Sequence, residues 1–350
     1  MVLNKNAILF TALLFFLPTS SLLAETTYTL KFATLIPVGT SWTKLLDDWI
    51  KEVETKSKGR IKFKMYPGGI MGDEPDVIRK MRKDQLHGGL FTGYGIGRIY
   101  SPARVLEVPF LFRNTEESDY VRDKLMPEIE LGFRKNEFEL LGWPEVGFIY
   151  FFSKHRVDSL EDVKMRRIWL WQGDLLGEAF FKASEVAPVP LSIIDVYTQL
   201  SAKHGSIDTV YASPFGAIAL QWHTKLKYGT KMPLTNAIGG LIVSSKFFNS
   251  LPDDLKDLLK TTGKRVGKQI RLQARAENEK SVQILKDNGM EFLWSRDEIE
   301  FEKLIELRDK AAKHLEDTNY IPSELFARVR QLVDDIRSDD PQKKQANTEK

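Results

Sequence analysis

The chain has 350 residues, enough for about two domains, and its 42% apolar and 28% charged residues exclude disorder over most of its length. The 51 basic residues against 48 acidic ones leave a formal charge of +3, which makes no electrostatic case for a nucleic-acid partner. With no cysteine, disulfides, thiolate metal sites and cysteine nucleophiles are ruled out.

Residues 1–24 place Lys5 before an apolar run, Ala7–Leu17, followed by Pro18 and a small, polar stretch ending at Ala24. This is the order of a secretory signal peptide, and the run is short for a membrane span of about 20 residues. The expectation is an exported, periplasmic protein cleaved near Ala24, with an uncleaved anchor as the competing reading.

Tyr28–Ala33 alternates as a strand, and Thr40 or Ser41 caps a helix that runs through Val53. Ile61–Tyr66 is a second strand, and the loop Pro67–Glu74 leads into a helix over Pro75–Lys83. This alternation predicts an α/β domain with a largely parallel sheet. Leu140–Phe152 is extended, Arg167–Trp171 and Ser206–Tyr211 are strands, Leu175–Ala183 is a helix, and Pro214 opens another. Gly240–Ser244 is a strand, and Leu251–Leu259 begins a helix. Gly263–Asn288 is a long helix, polar nearly all round between Arg271 and Lys280, as in helices that bridge two bodies through solvent. Two more helices follow over Phe301–Leu315 and Ser323–Ile336, and 339–350 is a polar tail expected to be disordered.

Catalytic patterns are missing. No histidine has a partner at the spacing of a zinc helix, and neither a nucleophile elbow nor a P-loop occurs. Gly93-Tyr94-Gly95-Ile96-Gly97 has its third glycine one place too early for a dinucleotide loop and reads as a tight turn or pocket wall. No enzyme activity, cofactor or metal is expected.

Five segments in register resemble the DctP-type solute-binding proteins of TRAP transporters: Glu54–Gly72, Pro102–Arg113, Ser159–Ile168, Pro190–Leu200 and Phe247–Pro252. The resemblance implies an α/β, two-lobe periplasmic binding protein fold with an interlobe cleft and a long lobe-spanning helix. One lobe would hold residues 25–146 and about 236–275, the other 147–235 and about 276–338. It also implies a ligand-delivering partner of TRAP membrane permease subunits, closing by a hinge.

The family's carboxylate-gripping arginine ends a "GlKiR" segment. Aligning Asp162–Ile168 with it puts Trp169 at the arginine's place. A second family arginine falls on Ile149, and Ser213 replaces a frequent asparagine. The cleft segments otherwise supply Leu35, Ile36, Tyr94, Trp143, Trp171 and Tyr211, with Asn236 at the second lobe boundary. Core packing is the competing role for these aromatics. Such a cleft favours a hydrophobic, lipid-like or amphipathic ligand, for which an adjacent helical-repeat lipoprotein would be a fitting periplasmic partner. The alternative is a small organic carboxylate clamped by Arg167 or Arg166 after a shift of register. A secreted enzyme or a ligand-dependent interaction protein are the readings outside this class.

Overall fold

The computed structural model describes residues 26–294 and 298–338; the leader expected over 1–24 and the tail expected over 339–350 lie outside the described residues. The first half of the chain forms β1 (Tyr28–Thr34), α1 (Ser41–Lys56), β2 (Ile61–Tyr66), α2 (Glu74–Arg82), β3 (Gly88–Thr92), α3 (Gly93–Ile99), α4 (Thr115–Lys135), β4 (Phe138–Gly142) and β5 (Glu145–Ser153). Next come α5 (Leu160–Lys164), β6 (Trp169–Trp171), α6 (Leu175–Ala183), β7 (Val189–Leu191), α7 (Ile193–Ser201), β8 (Thr209–Ala212), α8 (Pro214–Ala219), β9 (Tyr228–Thr230) and β10 (Thr235–Ser244). The chain ends with α9 (Ser245–Ser250), α10 (Asp253–Asp287), β11 (Glu291–Leu293), α11 (Glu298–Asp317) and α12 (Ser323–Ser338). Among the described residues no helix is long and apolar enough to cross a membrane.

Local signals account for the first elements. Thr40 accepts from the Thr43 backbone N–H at 3.2 Å, satisfying one of the free donors that open α1. Leu46, Trp49 and Val53 then share the face of α1 that packs with Leu255, Leu259 and Val266 of α10. The Trp49 indole N–H finds Thr262 Oγ1 at 3.0 Å.

The sheet runs in the order β11-β9-β5-β10-β3-β1-β2, with β4 also on β10 and β8 also on β5. β1 pairs in parallel with β2 and β3, and β11 with β9, but β10 is antiparallel to β3, β4 and β5, and β5 to β8 and β9, so the sheet is mixed rather than largely parallel. β10 pairs with β5 over Thr235–Ile238 and with β3 and β4 from Gly239 onward, so one ladder runs through both halves. Register shifts at Ala237/Ile238 and Leu241/Ile242 let the ladder turn there. The parallel pair β6–β7 stands apart from it.

The long helix begins ten residues before the expected Gly263, and its polar stretch is not a solvent bridge. Arg275 binds Asp119 and Glu145 at 2.7 and 2.6 Å, and Asn278 bonds the Val146 carbonyl and the Phe215 N–H. These partners hold α10 to both β5 and α8. Gly263 and Gly267 let the helix lie directly on β4. A Cβ on Gly267 would meet the Trp143 backbone nitrogen at 2.8 Å, and one on Gly263 would meet Leu141 Cβ at 2.7 Å.

Candidate functional site

A cavity of about 230 Å³ lies where β5, β6, β8 and β10 meet the starts of α1 and α3. Strand alternation selects its walls: Ile149 and Phe151 on β5, Trp169 and Trp171 on β6, Thr235 and Ala237 at the start of β10. Asn236, between the last two, points to the opposite face, where its side-chain amide donates to Ser118 Oγ at 3.1 Å.

Of the residues expected in a cleft, Trp169, Ile149, Leu35, Ile36, Tyr94, Trp171, Tyr211 and Ser213 line this cavity. Trp143 and Asn236 do not. Trp143 is buried in the core with Phe91 and Ile238, the competing role for a tryptophan. The two candidate clamp arginines are also elsewhere. Arg167 bonds Asp208 at 3.1 Å and the Gly205 carbonyl at 2.9 Å, and Arg166 bonds the Asp162 carbonyl at 3.1 Å. Alternation explains part of this: β6 starts only at Trp169, so Arg167 lies in the preceding turn, tied to Asp208.

The aromatic wall has spent its polar tips on the protein. Trp169 is 1% exposed, stacks on Tyr211 at 4.9 Å, meets Trp222 edge-on at 5.3 Å, and donates its N–H to the Leu191 carbonyl at 3.0 Å. Trp171 donates its N–H to Asp73 Oδ2 at 2.9 Å and packs on Tyr94 at 4.7 Å. Tyr94 donates to the Gln172 carbonyl at 2.7 Å. Tyr211 accepts from the Trp171 backbone N–H at 3.2 Å, and burial pushes its phenol well up. What Trp169, Trp171 and Tyr94 offer a guest is therefore face and edge, not donors.

Three charged groups border the cavity: Arg104, Glu107 and Asp174. Arg104 is the one cationic side chain among the described lining residues. Its guanidinium pairs bidentately with Asp174 at 2.9 and 3.1 Å and lies 2.5 Å from Glu107. Burial pushes the Glu107 carboxyl up, partly opposed by Arg104. With two carboxylates on one guanidinium, this corner has no positive charge to spare for an anionic guest. Sequence reasoning missed it because Arg104 and Asp174 are 70 residues apart. It also missed Trp42, Phe180, Phe181 and Trp222; Phe151 was within reach, two residues from Ile149 on the same strand face.

The glycine-rich run is a helix, α3, rather than a turn, although Tyr94 does stand in the pocket wall. Its glycines make room for buried carboxyls. A Cβ on Gly93 would sit 2.0 Å from Glu107 Oε2, and one on Gly95 would sit 2.5 Å from Glu74 Oε2. Glu74 accepts from the Thr92 and Gly95 N–H groups at 2.7 and 2.6 Å. Burial, with Asp73 beside it, pushes its carboxyl up to about 8. Between roughly pH 4.5 and 8 the folded chain then holds a proton that the unfolded chain has released. Stability should fall as pH rises through that window, by on the order of 1 kcal/mol per unit. Urea unfolding at pH 5, 6.5 and 8 checks this, and Glu74→Gln should flatten the decline.

Among the described residues no group of three or more His, Asp or Glu side chains gathers to hold a metal ion. Residues 32–313 match the family model described as "Bacterial extracellular solute-binding protein, family 7". A solute-binding protein of Chromohalobacter salexigens is 28% identical over 167 residues, 47% of this chain and about half, 49%, of that protein's length. The 2,3-diketo-L-gulonate-binding periplasmic protein of Escherichia coli is 23% identical over 77% of this chain and 82% of its own. Among solved structures, the sugar acid binding protein of Advenella mimigardefordensis in complex with galactonate superposes with a TM-score of 0.81. It is 19% identical, over 89% of this chain and 99% of that one, and it shares the two-lobe α/β fold.

Proposed function

The chain belongs to the DctP family of bacterial extracellular solute-binding proteins, family 7, and from its cavity lining we propose that it takes a hydrophobic or amphipathic solute for a TRAP-type importer. Members of this family are transport proteins rather than an enzyme class, bind small molecules outside the cytoplasm and work with membrane permease subunits. For a lipid-like solute, a periplasmic lipoprotein is a second candidate partner.

One observation carries the ligand class. Arg104, the one cation lining the cavity among the described residues, is taken by Asp174 and Glu107, while the rest of the wall is dominated by aromatic and aliphatic groups. An incoming carboxylate would meet two like charges beside that cation, and the Trp42 indole N–H, an uncharged donor without a partner, cannot neutralise it. An apolar guest gains instead from burial, at roughly 25 cal/mol per Å² of area removed from water, less the cost of association.

The lobe division proposed is residues 25–146 with about 236–275, and 147–235 with about 276–338. It is supported by the crossing of β5 and β10, where Gly147 pairs with Ala237 beside a register shift. The segments flanking this crossing would hinge, and closure would be a population shift driven by contacts with the guest.

A second reading has its own support: the relatives above include proteins named for 2,3-diketo-L-gulonate and solved with galactonate, both sugar acids. Arg166 and Arg167 lie outside the cavity, so this reading would need Arg104 to exchange a carboxylate partner for the ligand. Titration separates the two. The uncharged fluorophore N-phenyl-1-naphthylamine should bind and be displaced by 1-dodecanol but not by galactonate or glucuronate. Tight binding of a sugar acid with no uptake of the fluorophore would overturn the hydrophobic reading.

A further inference from the structure

We propose that Asp73 is a positioning residue of this ligand site, acting through Trp171 as a latch that holds the cleft shut and sets how long a guest stays. Asp73 does not line the cavity. It caps α2, accepting from the Glu74 N–H through Oδ1 at 2.7 Å, and it is buried. Its other oxygen, Oδ2, reaches far along the chain. It accepts from the Trp171 indole at 2.9 Å, the Ser192 hydroxyl at 2.5 Å and the Ile193 N–H at 3.3 Å. Trp171 and Ile193 are both cavity walls. A single carboxylate oxygen thus fixes a wall indole and the start of α7 from the side of β2 and α2.

The neighbouring contacts pull in the same direction. Tyr94 and Arg98 of α3 bond the carbonyls of Gln172 and Gly173 at 2.7 and 2.8 Å. All of these bonds join the first part of the chain to the segments around β6 and β7, which leave the main sheet. Among the described residues no cation forms an ion pair with Asp73; its carboxylate rests on four donors and on the N-terminus of the nine-residue α2. Hydrogen bonds to an ionised acceptor are the stronger kind, and separating the two sides would release three of them at once. Closure would then be favoured by Asp73 whatever the guest is, and the guest's residence would depend on a residue it never touches.

The inference rests on reading this cavity as the ligand site, and two measurements keep the two claims apart. Release of N-phenyl-1-naphthylamine is followed by stopped flow in wild type, Asp73→Asn, Trp171→Phe and the double variant. Asn is as good a helix cap as Asp, so α2 keeps its start and the unfolding midpoint should stay close to wild type. Trp171→Phe keeps an aromatic wall but loses the indole donor. Each single change should speed release by about tenfold, the size expected from losing a charge-assisted hydrogen bond, with association little changed. The double variant should release no faster than Asp73→Asn alone, because both changes break one link. Effects that multiply, or release at the wild-type rate, would overturn the latch. Small-angle scattering of ligand-free protein tests closure without any guest: Asp73→Asn should enlarge the radius of gyration. An unchanged radius refutes the latch, while an enlarged one in a protein that ignores the fluorophore supports the latch and refutes the ligand reading.

Discussion

Trp169→Ala is expected to lower the free energy of unfolding by about 3–5 kcal/mol, the range for large aromatic truncations in a core. The indole is both wall and core. It packs against Trp171, Tyr211 and Trp222, and its loss takes one of two donors from the Leu191 carbonyl, which keeps the Gln172 N–H. Urea unfolding measures the loss, and a cost under about 1 kcal/mol would show that the site collapses to fill the gap. Trp169→Phe should cost less, since it keeps a ring against Tyr211. Binding should be compared only under conditions where the variants remain folded. There, Trp169→Ala should accept bulkier apolar guests than wild type. Trp169→Arg should gain stability on adding glucuronate, because the new cation has no partner of its own.

Arg104→Met should be as damaging, for an electrostatic reason. It leaves Glu107 and Asp174 buried together without their shared cation, and breaking a buried pair in this way typically costs about 3–5 kcal/mol. The cost should depend on pH. Burial already pushes the Glu107 carboxyl up, and without the guanidinium nothing opposes that shift. Stability lost near neutral pH should therefore return as the pH falls and Glu107 protonates. The triple variant Arg104→Met/Glu107→Gln/Asp174→Asn removes the charges together and should recover most of the loss at pH 7. Chemical denaturation at pH 5 and pH 7.5 checks both statements. If the single variant is equally stable at both values, the two carboxyls are not left charged in the folded chain.

Much of this protein is written locally. The capped helix after β1, the strand β2, the helix α6 and the proline opening α8 follow from spacing, caps and breakers, because their determinants lie within a few residues. The helix α4 is less legible: Asn114 caps its start, but charges and an internal Pro127 dilute its apolar stripe, which packs against β4 and α12. The same limit applies to β3, whose Gly88 and Gly89 fit because their neighbours leave no room for a side chain.

For the site, sequence alone picked out Trp169, Ile149 and the aromatic residues of neighbouring segments as cavity walls, and excluded a local metal or nucleophile motif. It also left no cysteine for thiolate chemistry. The tertiary structure decided which of those groups meet. Strand alternation put Asn236 on the far face of β10, the connection between β4 and β5 carried Trp143 into the core, and the turn before β6 gave Arg167 to Asp208. It also decided the electrostatics. Arg104 and Asp174 are 70 residues apart, and Asp73 and Ser192 are 119 apart, so no local pattern can pair them. Charge balance in a buried corner depends on distances of a few ångströms between such groups, and only the folded chain sets those distances.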